Sequence, residues 1–152
     1  MSNHPTLKVP QERITQLKQM AANMGAVNMS EVLAKLIEFA QSEGLIAHEI
    51  PGVKINALAD GLAIRFDDGE TIGFSHSEAA QLASEIRDFL SGERSAKTVI
   101  SINAEKQMNF GLKGRGQGIA ISIPADAPAK MFDRGLADEF ARLIEMALPD
   151  AA

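Results

Sequence analysis

The chain has 152 residues, of which 45% are hydrophobic and 23% charged, and a formal net charge of −5. It contains no Cys, Trp or Tyr, which excludes a disulfide framework, thiolate chemistry and Cys-ligated zinc or iron–sulfur centres. No apolar run approaches the roughly 20 residues of a membrane span, and the opening MSNHPTLKVP lacks the basic start and apolar core of a secretory signal. A cytoplasmic protein is therefore expected.

Charge and pattern divide the chain. Residues 1–48 carry four basic and four acidic side chains, whereas residues 49–152 carry 11 basic and 16 acidic ones and hence the whole net charge. The apolar period also changes near Pro51, from helical spacing to alternation. Two domains are expected, 1–48 and 51–152, in an α+β chain.

Residues 5–9, PTLKV, read as a short strand, with Leu7 and Val9 on one face and Thr6 and Lys8 on the other. Pro10 holds Val9 extended and suits the first turn of a helix. The helix that follows places Ile14, Leu17, Met20, Ala21 and Met24 on one stripe, and Gly25 ends it. Asn28-Met29-Ser30-Glu31 reads as a cap opening a second helix. That helix turns Val32, Leu33, Leu36, Ile37 and Ala40 inward and stops at Gly44.

A lone five-residue strand leaves its backbone groups without partners, and about 45 residues make a poor core. A second copy of the chain cures both faults. Two strands would pair antiparallel across a two-fold axis, with Leu7 and Val9 inward and His4, Thr6 and Lys8 outward. Such a ribbon fits the major groove of DNA.

The segment from Leu7 to Ile46 resembles the ribbon-helix-helix family of the Arc repressor type. The shared positions are Pro10, Ala21, Gly25, Ser30-Glu31 and Glu43-Gly44. The resemblance implies an obligate homodimer, or a dimer of dimers, that binds double-stranded DNA. It implies base reading by His4, Thr6 and Lys8. It also implies phosphate binding by backbone around Val27, Asn28, Met29 and Ser30, as helix N-terminal amides favour. Two departures stand out: Pro5 replaces an apolar strand residue, and Ala26 replaces an Arg of a buried charge cluster. Glu31 and Lys35, its other members, are left to pair at i,i+4.

From Pro51 onward, VKINAL, LAIRF and TIGFS read as strands, with a hairpin turn at Asp67-Asp68-Gly69. Ser75-His76-Ser77-Glu78 is a capping box for a helix that turns Leu82, Ile86, Phe89 and Leu90 inward. TVISI, QMNFGL and GIAISI follow as strands, and a last helix over 128–148 carries Phe132, Leu136, Phe140, Leu143, Ile144 and Ala147. A strand-strand-strand-helix unit thus repeats over 51–92 and 97–149, expected as one antiparallel sheet with both helices on one face.

No catalytic constellation emerges. Ser75 and His76 are neighbours, so they point apart, and Asp67-Asp68 is turn chemistry. KGRGQG at residues 113–118 lacks both the P-loop and the Rossmann pattern. Lys113 and Arg115 there could touch an anion, or form a solvated hairpin tip. His4, His48 and His76 have no metal-ligand spacing, so neither a metal nor a cofactor is expected. The expected protein is not an enzyme but a DNA-binding transcriptional regulator, a repressor, whose 51–152 half serves oligomerisation or an effector. The alternative is an antitoxin or plasmid-maintenance protein that holds a protein partner through 51–152.

Overall fold

The computed structural model describes residues 5–92, 99–102, 108–115 and 118–149. Four helices and seven antiparallel strands occur among them, an α+β composition. The chain divides into two compact units, Met1–Ala47 and His48–Ala152.

In the first unit, residues 5–9 carry no ladder among the described residues. Helix α1 (Gln11–Met24) follows Pro10, whose carbonyl accepts from the amides of Arg13 and Ile14 at 3.0 and 3.3 Å. It ends at Gly25, whose φ of 70° is the left-handed conformation that glycine adopts without strain. The Ala26 amide then closes the turn on Ala21 O at 2.9 Å. Helix α2 (Met29–Ser42) is capped by Asn28, whose side chain accepts from the Glu31 amide at 2.9 Å.

The α1 stripe of Ile14, Leu17, Met20, Ala21 and Met24 is half-buried, and no residue of this helix is fully buried. Of the five residues expected inward on α2, Val32 is buried, and Leu36 and Ala40 are half-buried. Leu33 and Ile37 remain exposed, as does Phe39 at 61%. The reason is physical: within this unit the two helices pack on each other, and no third layer covers them among the described residues. The expected Glu31–Lys35 pair is also replaced. The Glu31 carboxylate instead accepts from the Val27 amide at 3.1 Å, which satisfies a donor that the helix start leaves open.

The second unit begins with β1 (Val53–Leu58), β2 (Gly61–Phe66) and β3 (Ile72–Ser75), a three-stranded antiparallel sheet in that order. Helix α3 (His76–Ser91) follows, with a full capping box: Ser75 accepts from the Glu78 amide, and Glu78 accepts from the Ser75 amide. A second antiparallel sheet holds β4 (Val99–Ile102), β5 (Met108–Arg115), β6 (Gly118–Ser122) and β7 (Lys130–Phe132). Helix α4 (Arg134–Ala147) closes the unit.

Three expectations are corrected here. The strands form two sheets rather than one. The last helix does not start at Pro128, because Lys130–Phe132 pair with β6 and the Asp133 side chain caps the helix by accepting from Leu136 N at 2.7 Å. Phe132 is therefore a strand residue. Leu136, one turn into the helix, is 40% exposed rather than inward.

The internal repeat is present in pattern but displaced by one strand, so that β5-β6-β7-α4 answers β1-β2-β3-α3 and β4 is additional. Gly61-Leu-Ala-Ile64 opens β2, and Gly118-Ile-Ala-Ile121 opens β6. A Cβ on Gly61 would run into the carbonyl oxygen of Phe74, and one on Gly118 into that of Phe132. In both copies the next residue, Ser75 or Asp133, caps the following helix.

The two copies share one core. Phe66 of the first packs on Phe132 and Phe140 of the second, with ring centroids 5.6 Å apart in each case. Leu62, Ile64, Leu82, Ile86, Phe110, Leu112, Ile121 and Ile144 fill the space around them and are fully buried. Burying each such side chain stabilises the unit by about 1.5–3 kcal/mol before chain entropy is counted. Outside the core, Arg87 of α3 bonds Asp138 and Glu145 of α4, the latter at 2.8 Å. The hydrogen bond that Arg87 donates to Glu145 holds the Arg87 pKa above its ordinary value. Buried Asn109 of β5 donates to Glu78 Oε2, which ties the second sheet to α3.

Candidate functional site

The expected base-reading residues lie at the start of the chain. Thr6 and Lys8 are exposed, and His4 lies outside the described residues. Leu7, between them, is 85% exposed, and Val9 is half-buried. An alternating strand with both faces open to water has no reason to hold its shape alone. No strand is assigned to residues 5–9 among the described residues.

The expected phosphate residues gather at the start of α2. Val27 is 85% exposed, Asn28 and Ser30 are exposed, and Met29 is half-buried. The Asn28 side chain takes the Glu31 amide and the Glu31 carboxylate takes the Val27 amide. The amides of Met29 and Ser30 are first-turn donors with no intrahelical acceptor, and they carry the positive end of the helix dipole. The placement of Glu31 was missed from the sequence: a phosphate approaching Val27 meets a carboxylate already on that amide.

Lys113 and Arg115 do not sit in a glycine-rich loop. They belong to β5, where Lys113 pairs with Ala120 and Arg115 with Gly118, and both are exposed on one face. The remaining loop residues, Gly116 and Gln117, lie outside the described residues. Glycine at 114 and 118 does not prevent ladder pairing, since Gly114 pairs with Ile119 and Gly118 with Arg115.

Sequence reasoning missed a second basic place, where Lys54 on β1 stands directly opposite Arg65 on β2. A usable signal was present. Only Ala59 and Asp60 separate the two strands, and so short a hairpin fixes the register. No group of three or more His, Asp or Glu placed to hold a metal occurs among the described residues, and no described helix is long and apolar enough to cross a membrane. Comparison with family models, with curated proteins and with solved structures gave no match for this chain.

Proposed function

We infer that the chain is a sequence-specific DNA-binding regulator that acts as a homodimer through its first unit. The observation that carries this reading is the unfinished apolar surface of that unit. Leu7, before the first of two amphipathic helices, and Leu33, Ile37 and Phe39 on the second are all exposed. A second copy offers the same residues in return, as a two-fold interface requires. The strand so formed would present Thr6 and Lys8, with His4, away from the interface and toward base edges. The amides of Met29 and Ser30 would face phosphate. The weakly basic face implies modest affinity with a shallow dependence on salt, since few counterions are released.

The test is a selection of bound duplexes from a random pool at about 100 mM salt, followed by affinity measurement on the selected site. The double variant Thr6→Ala, Lys8→Ala is expected to lose site-specific binding, since each base contact is worth roughly 1–3 kcal/mol of discrimination. Its thermal stability should change by less than about 0.5 kcal/mol. Unchanged affinity with unchanged stability would show that this strand does not read DNA.

A further inference from the structure

The unpaired cations of the second unit point to a ligand. Its other half-buried cations, among the described residues, each have a partner: Arg87 bonds Asp138 and Glu145, Lys130 bonds Asp67 at 3.1 Å, and Arg142 reaches Asp138 at 3.7 Å. Half-buried Arg65 has no ion pair, and its Nε is buried without an acceptor. Lys54 is the residue directly across the ladder from it. Like charges at directly opposed positions repel, and a buried donor without an acceptor costs stability. One anion placed between the two would remove both penalties.

The surroundings have the shape for such a group. Asn56 stands two residues beyond Lys54 on the same face, and Thr71 flanks Arg65. With Lys54 and Arg65 they line a hollow of about 240 Å³. Lys54, Asn56 and Arg65 also line a cleft of about 570 Å³, which reaches Ile55 of β1 and Leu143, Met146 and Ala147 of α4. Small-molecule sites occupy roughly 300–1,000 Å³ and combine apolar walls with a few polar groups. Met146 is 59% exposed at the last turn of α4, so part of the apolar wall is open to solvent. The two carboxylates in the cleft do not cancel its cations: Asp67 is held by Lys130, and Glu49 is an exposed residue of the segment before β1.

We propose that this cleft binds a small amphipathic anion, a short hydrocarbon body carrying one carboxylate or phosphate. The head group lies at Lys54 and Arg65, where a guanidinium can donate two parallel hydrogen bonds. The body passes the edge of β1 to lie against Leu143 and Met146. The site belongs to the second unit alone and does not depend on the DNA-binding reading of the first.

The experiment is calorimetric titration of the full chain with hexanoate, hexyl phosphate, hexanol and inorganic phosphate at one pH and salt. One of the hexyl anions should bind with one site per chain, and which of them binds tighter identifies the head group. Hexanol and inorganic phosphate, each with half of the recognised chemistry, should bind at least about tenfold more weakly, since each half removes on the order of one charge-assisted hydrogen bond or a few buried methylenes. Arg65→Gln and Lys54→Gln should each weaken the anion by roughly tenfold, while Lys18→Gln on α1 leaves it unchanged. Lys54 is exposed, so its variant decides the matter if Arg65→Gln fails to fold. The proposal is overturned if neither hexyl anion binds at millimolar concentration, or if hexanol or inorganic phosphate matches them. It also fails if Lys54→Gln binds like the native chain, or if Lys18→Gln weakens binding as much as Lys54→Gln does.

Discussion

The two units bury their apolar residues to very different degrees. In the second, Phe66, Phe110, Phe132 and Phe140 are enclosed with a full set of aliphatic neighbours, and the strands and helices that carry them cover one another. In the first, α1 buries nothing completely and α2 buries only Val32 and Gln41, although both helices are amphipathic. The difference is not one of helix quality. Both helices of the first unit end in left-handed glycines, and α2 has a good side-chain cap. What differs is the number of layers. Local signals complete a helix, but only a further layer completes a core, and the first unit has no such layer of its own among the described residues.

The strongest test of this contrast removes the closed core. Phe140→Ala should cost about 3–5 kcal/mol and lower the melting of the second unit, followed by amide NMR, with the helical signals of α1 and α2 little changed. Loss of both units together would show that they share a core. Next comes dilution. A thousandfold decrease in concentration should weaken the first unit by roughly 4 kcal/mol per dimer, because each tenfold step is worth about 1.4 kcal/mol. The second unit should not respond. Circular dichroism melts across that range separate the two, and a first transition that ignores concentration would break the comparison.

A smaller effect sharpens the account of the closed unit. Gly61→Ala drives a Cβ against the Phe74 carbonyl, and overpacking of this kind typically costs about 1–3 kcal/mol. Gly73→Ala is the control, since a Cβ there meets nothing within 4 Å. Chemical denaturation of both variants is the measurement. The smallest effect concerns the start of α2. Asn28→Ala should cost about 1 kcal/mol through loss of the cap, read as a lower midpoint of the concentration-dependent transition alone.

Much of the fold was legible because it follows local rules. The Asp67-Asp68-Gly69 hairpin, the Ser75/Glu78 capping box and the extents of α1 and α2 each depend on residues within a few positions of one another. Strand β7 was not legible. Three residues are too few to show alternation, and Pro128 ahead of them imitates a helix start. Asp133, three residues before Leu136, was the missed cap. The separation into two sheets depends on pairings between distant segments, which no window of sequence contains. Of the candidate sites, alternation did not sort the faces of residues 5–9, since Leu7 is exposed along with Thr6 and Lys8. The choice of Glu31 for Val27 rather than Lys35 was not legible either, because both partners lie within reach of one helical turn. The opposition of Lys54 and Arg65 could have been counted from the hairpin.

The aromatic contact of Phe66 with Phe132 and Phe140 joins the two copies of the repeat. Each copy alone would leave one side of its core open, as the first unit does. Placing both copies in one polypeptide turns association into loop closure, whose entropic cost grows only slowly with the length of the connection. The same chain thus presents two answers to one problem. One half solves it by covalent linkage and is indifferent to how much protein is present; on the homodimer reading, the other would wait on the abundance of its own kind.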